Sequence, residues 1–254
     1  MRGVSIVVPA YNSAKTLDIL AQRIFETMND MGYQYELILV NDGSVDQTWK
    51  VIRELASEND AILGINLSRN FGQHNALLCG VQFARFPECV TLDDDLQHPP
   101  EEIPKLLARL AEGFDVVYGV PNVSRHGLTR NISSNVVRLI GAVFFRIERA
   151  HILSSFRAFR TNLFSSFEFS QGRLISIDAI LDRNSCNFGH VRVRHDRRCI
   201  EKSNYSIPKL LKLSITMLIG FRFKKSRYGP EKVSYRIQDT TGTLKTGLKN
   251  GGTT

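Results

Sequence analysis

The sequence predicts an α/β fold, with a mostly parallel sheet covered by helices on both faces. Short apolar runs alternate with amphipathic helical segments through the first half of the chain. The runs are apolar along nearly their whole length, as expected for strands that are buried on both faces. Polar residues follow each run, so we expect their side chains along one edge of the sheet, where ligands of such folds bind.

Apolar runs predict strands at positions 4–9, 35–40, 61–67, 89–92 and 114–118. The first run is β-branched, and Tyr11, Asn12 and Ser13 after it form a predicted turn and helix cap. Apolar residues at helical spacing predict helices between the strands, the first ending at Gly32 and the last covering 101–112. Alternation of strands and helices is typical of parallel sheets with helical crossovers.

The fourth run ends in three consecutive carboxylates. Adjacent carboxylates beside a buried strand repel one another and lose solvation, which favours a compensating cation. Strand alternation would place Asp93 and Asp95 on one side and Asp94 on the other, so that two carboxylates converge on Mg²⁺ or Mn²⁺ while Gln97 adds a neutral oxygen. The competing interpretation is a loop whose carboxylates cap the helix introduced by two prolines.

Composition narrows the class of protein. A chain of 254 residues accommodates one main domain with a C-terminal extension. Its net charge of +8 favours a phosphate-bearing or polyanionic partner, but no nucleic-acid partner is expected, because familiar nucleic-acid-binding motifs are missing. Its cysteines show neither metal-ligand nor disulfide-like spacing and are expected to be reduced thiols: Cys79, Cys89, Cys186 and Cys199.

Four short segments in a fixed order carry a family resemblance: VVPAYN at 7–12, NDGSVD at 41–46, SRNFG at 68–72 and DDDLQHPPE at 93–101. Together they resemble family 2 of the glycosyltransferases, which has the Rossmann-like GT-A fold. The LQHPPE ending is similar to that of the polyprenyl-phosphate glycosyltransferases, a subgroup that includes dolichyl-phosphate mannose synthases and undecaprenyl-phosphate aminoarabinose transferases. The resemblance extends over roughly residues 4 to 220.

For the donor, the resemblance implies a nucleotide-diphosphate sugar. It assigns the base and ribose pocket to Pro9, Ala10 and Tyr11, a hydrogen bond to the base to Asp42, and the diphosphate to Arg69. Read alone, Tyr11 could be a packing residue, Asp42 a turn former and Arg69 a solvated surface residue.

The resemblance also assigns the carboxylate cluster. Asp95 and Gln97 would bind the metal, while Asp93 would face the ribose, the donor sugar or the outer shell of the metal. Asp94 belongs to the same nucleotide-sugar site but stands where the subgroup has a small residue, so its extra charge is expected to change metal affinity. Catalysis is assigned to Asp93, Asp95, Arg157 and Arg198.

For the acceptor, the resemblance implies a polyprenyl phosphate bound by Arg125, Arg130, Arg157 and Ser203. Arg157 lies in an SSFRAFR segment, where a buried guanidinium would clamp a phosphate. Arg198 and Ser203 belong to a segment similar to the mobile loop over the diphosphate, with Glu201 in place of the usual glycine. Otherwise, the arginines form a solvated basic face beside core phenylalanines.

The predicted organisation is a domain, a helix and a tail. Residues 207–223 have basic residues on one helical face, which favours either a helix on an anionic membrane surface or a core or dimer helix. The chain then lacks a core pattern, which predicts disorder. The units are 1–206 (donor half 1–119, acceptor half 120–206), helix 207–223 and tail 224–254.

The leading hypothesis is an inverting, metal-dependent glycosyltransferase that moves a sugar to polyprenyl phosphate. With no predicted signal peptide or membrane span, we expect it in the cytoplasm, peripheral at the inner face of the cell membrane, alone or with a membrane-protein partner. One alternative is a hydroxyl acceptor with Asp178 as base, although Asp178 also fits a helix N-cap. Another is a non-catalytic donor-binding protein.

Overall fold

The computed structural model describes residues 2–122, 153–165, 176–185, 187–196 and 235–242. Within these residues, the strands are β1 Gly3–Ala10, β2 Gln34–Asn41, β3 Ile62–Leu67, β4 Glu88–Thr91, β5 Val116–Pro121, β6 Arg157–Arg160, β7 Phe188–Val193 and β8 Ile237–Thr240. The α-helices are α1 Leu17–Met31, α2 Thr48–Glu58, α3 Gln73–Gln82, α4 Ile103–Ala111 and α5 Ile177–Asn184, and short 3-10 helices cover Pro100–Glu102 and Thr161–Phe164.

The described strands form one sheet in the order β7-β5-β6-β4-β1-β2-β3-β8. The central strands β4, β1, β2 and β3 are parallel, as are β5 and β7. Strand β6 runs antiparallel to both β4 and β5, and β8 runs antiparallel to β3. The predicted mostly parallel sheet is therefore confirmed, and the start of β6 lies at the same edge as the ends of the parallel strands.

Two hydrophobic cores flank the sheet. One joins alternate residues of β1 and β2 to α1, α2 and α4, and the other joins the intervening residues to α3 and α5. In β1, Ile6 and Val8 face the first core while Val7 faces the second. Burial on both faces explains why these strands are apolar along their whole length rather than alternating.

Several predicted boundaries differ from the structure. Helix α1 begins after Thr16, so Ser13 is not its cap. The helix predicted at 101–112 is a 3-10 turn followed by α4. Strand β4 ends at Thr91, so the three carboxylates that follow lie in a loop, and strand alternation does not set their directions.

The C-terminal part also differs from its prediction. A disordered tail over 224–254 is wrong for residues 235–242, which contain β8 paired with β3. The strand is short and mostly polar, so it carries no apolar pattern. The helix predicted at 207–223 lies outside the described residues. In the part of the chain that is described, no helix is both long and apolar enough to cross a bilayer.

Two glycines allow a test of how tightly α3 packs on the sheet. A Cβ added at Gly80 would lie 2.4 Å from Val7 Cγ1, whereas one at Gly32 would meet nothing within 4 Å, although Gly32 has a φ of +63°. Alanine favours a helix, but overpacking costs about 1–3 kcal/mol or more. We expect Gly80→Ala to destabilise the protein by about 1–3 kcal/mol in urea unfolding.

Gly32→Ala is the matched control for that experiment. It retains only the penalty of a left-handed backbone, which is about 1 kcal/mol. An unfolding midpoint for Gly80→Ala at or above that of the wild type would show that α3 has room to move away from β1.

Candidate functional site

The site is built at the edge where the parallel strands end. The turn after β1 is bound to the turn after β2: the Asn12 amide donates to Ser44 Oγ at 2.9 Å, and the Val45 amide donates to Asn12 Oδ1 at 3.0 Å. The ends of β2 and β3 are joined in turn, since Asn41 Nδ2 donates to Asn66 Oδ1 at 2.7 Å. These bonds fix three neighbouring loops as one surface.

Asp42 fastens the loop that precedes α3. Its carboxylate oxygens accept the backbone amides of Phe71 at 2.7 Å and Gly72 at 2.9 Å. Burial raises the pKa of Asp42, and these two amide bonds oppose the rise. Gly43 lets the loops touch, because a Cβ there would lie 2.3 Å from the Arg69 carbonyl carbon. Each Asp42 oxygen keeps a further lone pair for a ligand.

Asp93 joins the donor half of the sheet to β6. Its carboxylate accepts hydrogen bonds from Gln73 Nε2 and Ser155 Oγ, both at 2.6 Å. Burial raises the pKa of Asp93, while the bond from Ser155 lowers it. Asp93 therefore links the start of α3 to the segment entering β6.

Asp94 turns the opposite way, towards the turn after β1. One of its oxygens accepts the Tyr11 amide at 3.1 Å and the Ser13 hydroxyl. Burial raises the pKa of Asp94 to about 6. This carboxylate thus shapes the turn that carries Tyr11, whose side chain is 38% exposed.

Asp95 and Gln97 form the remaining part of the cluster. The backbone amide of Gln97 donates to Asp95 Oδ1 at 3.0 Å. Leu96, which lies between them, is buried and has a φ of +62°. Among the described residues, no group of three or more His, Cys, Asp or Glu side chains is arranged as a metal site. A carboxylate and an amide oxygen still fit Mg²⁺ or Mn²⁺, since such ions commonly combine few protein ligands with water and phosphate oxygens.

Arg69 and Arg157 occupy opposite environments. Arg69 is exposed at the rim, with its guanidinium carbon 4.8 Å from the centre of the Phe71 ring. Arg157 is only 2% exposed and is ion-paired with Asp178. Tyr118 donates its hydroxyl to the same Asp178 oxygen at 2.9 Å. The start of β6 and the first turn of α5 are thus joined by a buried charge pair.

The N-cap alternative for Asp178 is wrong. Helix α5 is capped by Ser176, whose hydroxyl oxygen accepts the Ala179 amide at 3.1 Å. Asp178 lies in the first turn of that helix, where a negative charge is also favoured by the helix dipole.

Sequence reasoning missed several residues of the site. Burial lowers the pKa of His74, and the nearby charges of Asp178 and Asp93 act on this ring, whose Nδ1 is buried without a hydrogen-bond partner. The roles of Gln73 and Ser155 were missed because their partner Asp93 is distant along the chain, although Gln73 follows the SRNFG segment and Ser155 lies within the SSFRAFR segment. Four predicted residues lie outside the described part: Arg125, Arg130, Arg198 and Ser203.

Comparison with known proteins decides the family. Residues 5–181 match the model of glycosyl transferase family 2. The chain belongs to this family. It is 33% identical over 216 residues to an undecaprenyl-phosphate 4-deoxy-4-formamido-L-arabinose transferase of Shewanella sediminis, covering 85% of this chain and 65% of that relative. A protein of the same name from Pectobacterium carotovorum is 32% identical over 219 residues, with 86% and 67% covered.

Solved structures show the same fold as this family 2 glycosyltransferase. Glucosyl-3-phosphoglycerate synthase of Mycobacterium tuberculosis, in complex with Mn²⁺, UDP and glucosyl-3-phosphoglycerate, superposes with a TM-score of 0.62 at 21% identity, covering 87% of this chain and 80% of that one. Mannosyl-3-phosphoglycerate synthase of Rubrobacter xylanophilus gives 0.67 at 17% identity, with 88% and 74% covered. The GT-A fold and the subgroup resemblance predicted from the sequence are confirmed.

The raised pKa of Asp94 predicts how the stability of the protein changes with pH. Its pKa rises from 3.8 in the unfolded chain to about 6, so the folded protein binds this proton more tightly. The stabilisation is complete below about pH 4 and is lost as the pH rises through about 6. Asp94→Asn keeps an oxygen for Tyr11 and Ser13 without the charge. Urea unfolding without divalent metal should show a loss of stability between about pH 4 and 6 that is smaller in Asp94→Asn.

Asp94→Ala separates the hydrogen bonds from the charge. It removes both bonds and should be less stable than Asp94→Asn by about 1–3 kcal/mol across the pH range. Parallel pH profiles for the wild type and Asp94→Asn would contradict the assignment of this titration to Asp94.

The buried ion pair between Asp178 and Arg157 predicts a large effect of Asp178 on stability. Asp178→Asn keeps an oxygen for the Tyr118 hydroxyl but leaves the buried Arg157 without its counter-charge. Breaking a fully buried pair costs about 3–5 kcal/mol, and because the Asp178 side chain is 18% exposed, we expect about 2–4 kcal/mol in urea unfolding. Glu112→Gln, which breaks the exposed pair with Arg109, should cost less than about 1 kcal/mol. Equal losses in the two variants would rule out a special role for burial.

Proposed function

We propose that the protein is an inverting glycosyltransferase that moves a sugar from a nucleotide-diphosphate donor to a polyprenyl phosphate. The observation that carries this proposal is the meeting of the Tyr11 turn, Arg69 and the Asp95–Gln97 turn at one edge of the sheet. The relatives are named as undecaprenyl-phosphate sugar transferases, which supports the acceptor class. The chain spans 65% of the length of the first of them, so its activity is an inference.

The donor fits the side of the site formed by β1, β2 and β3. Tyr11 is exposed and follows the buried residues Pro9 and Ala10 at the end of β1, so a base or ribose can pack against it. Asp42 is held rigidly by two amides and can accept a hydrogen bond from a base N–H. The exposed Arg69 is free to swing towards a diphosphate, whose oxygens a guanidinium binds in pairs.

A divalent metal suits the remaining residues. Asp95 and Gln97 would hold Mg²⁺ or Mn²⁺, and the ion would stabilise negative charge on the leaving diphosphate. The solved relatives include complexes with Mn²⁺ and UDP-glucose, which supports a metal together with a nucleotide sugar. Asp93 and Asp94 would then act through the loops that they fix, and Asp93 borders the donor sugar.

The acceptor fits the side that contains β6 and α5. A phosphate monoester has a second pKa near ~6, so it is mostly ionised at neutral pH and needs no general base. Arg157 would act on the acceptor phosphate from within the buried cluster, where the ion pair with Asp178 fixes the direction of its guanidinium and balances part of its charge. Direct contact with the acceptor phosphate is proposed for Arg125, Arg130 and Ser203, and contact with the donor diphosphate for Arg198.

A hydroxyl acceptor is the second candidate, because Asp178 lies near His74, whose ring also feels the charge of Asp93, and could act as a base. Its ion pair with Arg157 gives Asp178 a structural role as well. Loss of turnover in Asp178→Asn therefore does not identify the acceptor, and product analysis must do so.

The proposed setting is the inner face of the cell membrane, with the protein peripheral in the cytoplasm. A net charge of +8 would favour contact with anionic lipid, and a membrane-protein partner could supply further anchoring.

The proposal is tested by transfer of radioactive sugar into the organic phase. Purified protein is incubated with Mn²⁺, short-chain polyprenyl phosphate and a panel of labelled nucleotide sugars. One donor should yield labelled lipid, and Asp95→Asn should lower the rate at least about 100-fold because charge stabilisation is lost. Asp60→Asn, at an exposed residue before β3, is the control with an unchanged rate.

The other outcomes distinguish the alternatives. Label that enters only water-soluble glycan would support a hydroxyl acceptor and overturn the lipid-phosphate proposal. Donor binding without transfer or hydrolysis, for every donor and with both acceptors, would identify a non-catalytic binding protein.

A further inference from the structure

The residues that follow β7 contact the loop that carries Gln97. The Asp196 amide donates to the Gln97 carbonyl at 2.9 Å. The next residue back, His195, places its ring 5.0 Å from the His98 ring at an angle of 88°. Arg194 Nη2 lies 3.5 Å from Glu101 Oε2. Three consecutive residues thus contact one short loop from a position 93 residues further along the chain.

The loop needs such support because its backbone is strained. Leu96 has a φ of +62°, an arrangement that side chains other than glycine rarely adopt. Residues of this kind keep their conformation only when the surrounding structure holds them in place. The buried side chain of Leu96 stabilises the loop, and so does the backbone hydrogen bond from Asp196 to the Gln97 carbonyl.

Glu101 connects this support to the rest of the fold. Its carboxylate is bound in a fork by Arg23 of α1, with distances of 2.8 and 2.7 Å, and on its other side it meets Arg194. Arg194 also lies 3.4 Å from Asp196 Oδ1. The chain of contacts runs from α1 through Glu101 and Arg194 to the backbone bond on Gln97.

We propose that Arg194 and Glu101 are positioning residues for metal binding. They hold the loop so that the oxygens of Asp95 and Gln97 are already arranged before an ion arrives, and metal affinity therefore depends on a contact made by the acceptor half of the chain. The inference rests on the proposed function, in which this loop binds a divalent ion. Neither Arg194 nor Glu101 is proposed as a ligand of the ion.

The expected size of the effect follows from exposure. The Arg194 and Glu101 side chains are 57% and 46% exposed, so solvent screens their attraction. Exposed pairs of this kind contribute little energy, which corresponds to a dissociation constant for the metal about two- to fivefold higher when the pair is lost.

The experiment measures binding of Mn²⁺ alone to the full chain, from the electron paramagnetic resonance signal of the free ion. Arg194→Gln should raise the Mn²⁺ dissociation constant about two- to fivefold, and Arg194→Lys should restore most of the affinity because it keeps the cation. Arg109→Gln is the matched control, since it removes another exposed Arg–Glu pair, in the last turn of α4, and should leave the dissociation constant unchanged.

A double-mutant cycle identifies the pair as the cause. Glu101→Gln removes both of its arginine contacts and should weaken binding at least as much as Arg194→Gln. Adding Arg194→Gln to Glu101→Gln should then produce a smaller change than Arg194→Gln alone. Urea unfolding of each variant, which should remain cooperative, confirms that the folded protein is being measured.

Two results would overturn the inference, and they are distinguishable. Wild-type affinity in Arg194→Gln, with Mn²⁺ binding still abolished by Asp95→Asn, removes the positioning role and leaves the metal site intact. No Mn²⁺ binding by the wild type, together with sugar transfer that survives a chelator, removes both the inference and the metal of the proposed function.

Discussion

Mutual repulsion among Asp93, Asp94 and Asp95 is the constraint around which the site is arranged. Three neighbouring carboxylates in a partly buried loop cannot all face one another without compensation. The structure turns each towards a different element: α3 and β6, the turn after β1, and the loop's own backbone at Gln97. The same separation that relieves repulsion also fastens the donor loops to the acceptor strand. The hydrogen bonds that keep the carboxylates apart are therefore the same ones that assemble the site.

The buried charge of Arg157 is a second electrostatic constraint on the site. Arg157 is buried and would be costly to leave unpaired, so Asp178 forms an ion pair with it, and Tyr118 donates its hydroxyl to that carboxylate. In the proposed function, the acceptor phosphate would approach a guanidinium whose direction is already fixed and whose charge is partly balanced, rather than a bare cation. Specificity for the acceptor would therefore come from the geometry of this cluster as much as from its net charge.

The sequence predicted those features that depend on local pattern. The strands and helices through α4 follow from apolar periodicity, and the edge of the sheet follows from their alternation. Apolar periodicity does not indicate strand direction, so the antiparallel direction of β6 was not predicted. Strand β8 was not predicted either, because its residues IQDT lack an apolar repeat. The partner of Asp94 was also hidden, because Ser13 lies 81 residues away and only the folded sheet brings the two together.

The reversed direction of β6 brings its start next to the end of β5. Residues 118 and 157 are register partners on adjacent antiparallel strands, so the chain leaves β5 and enters β6 at the same edge of the sheet. Residues 122 and 153 follow and precede these paired residues, so a change in the length of the segment between them would not by itself require a shift in the register of β5, β6 or β7.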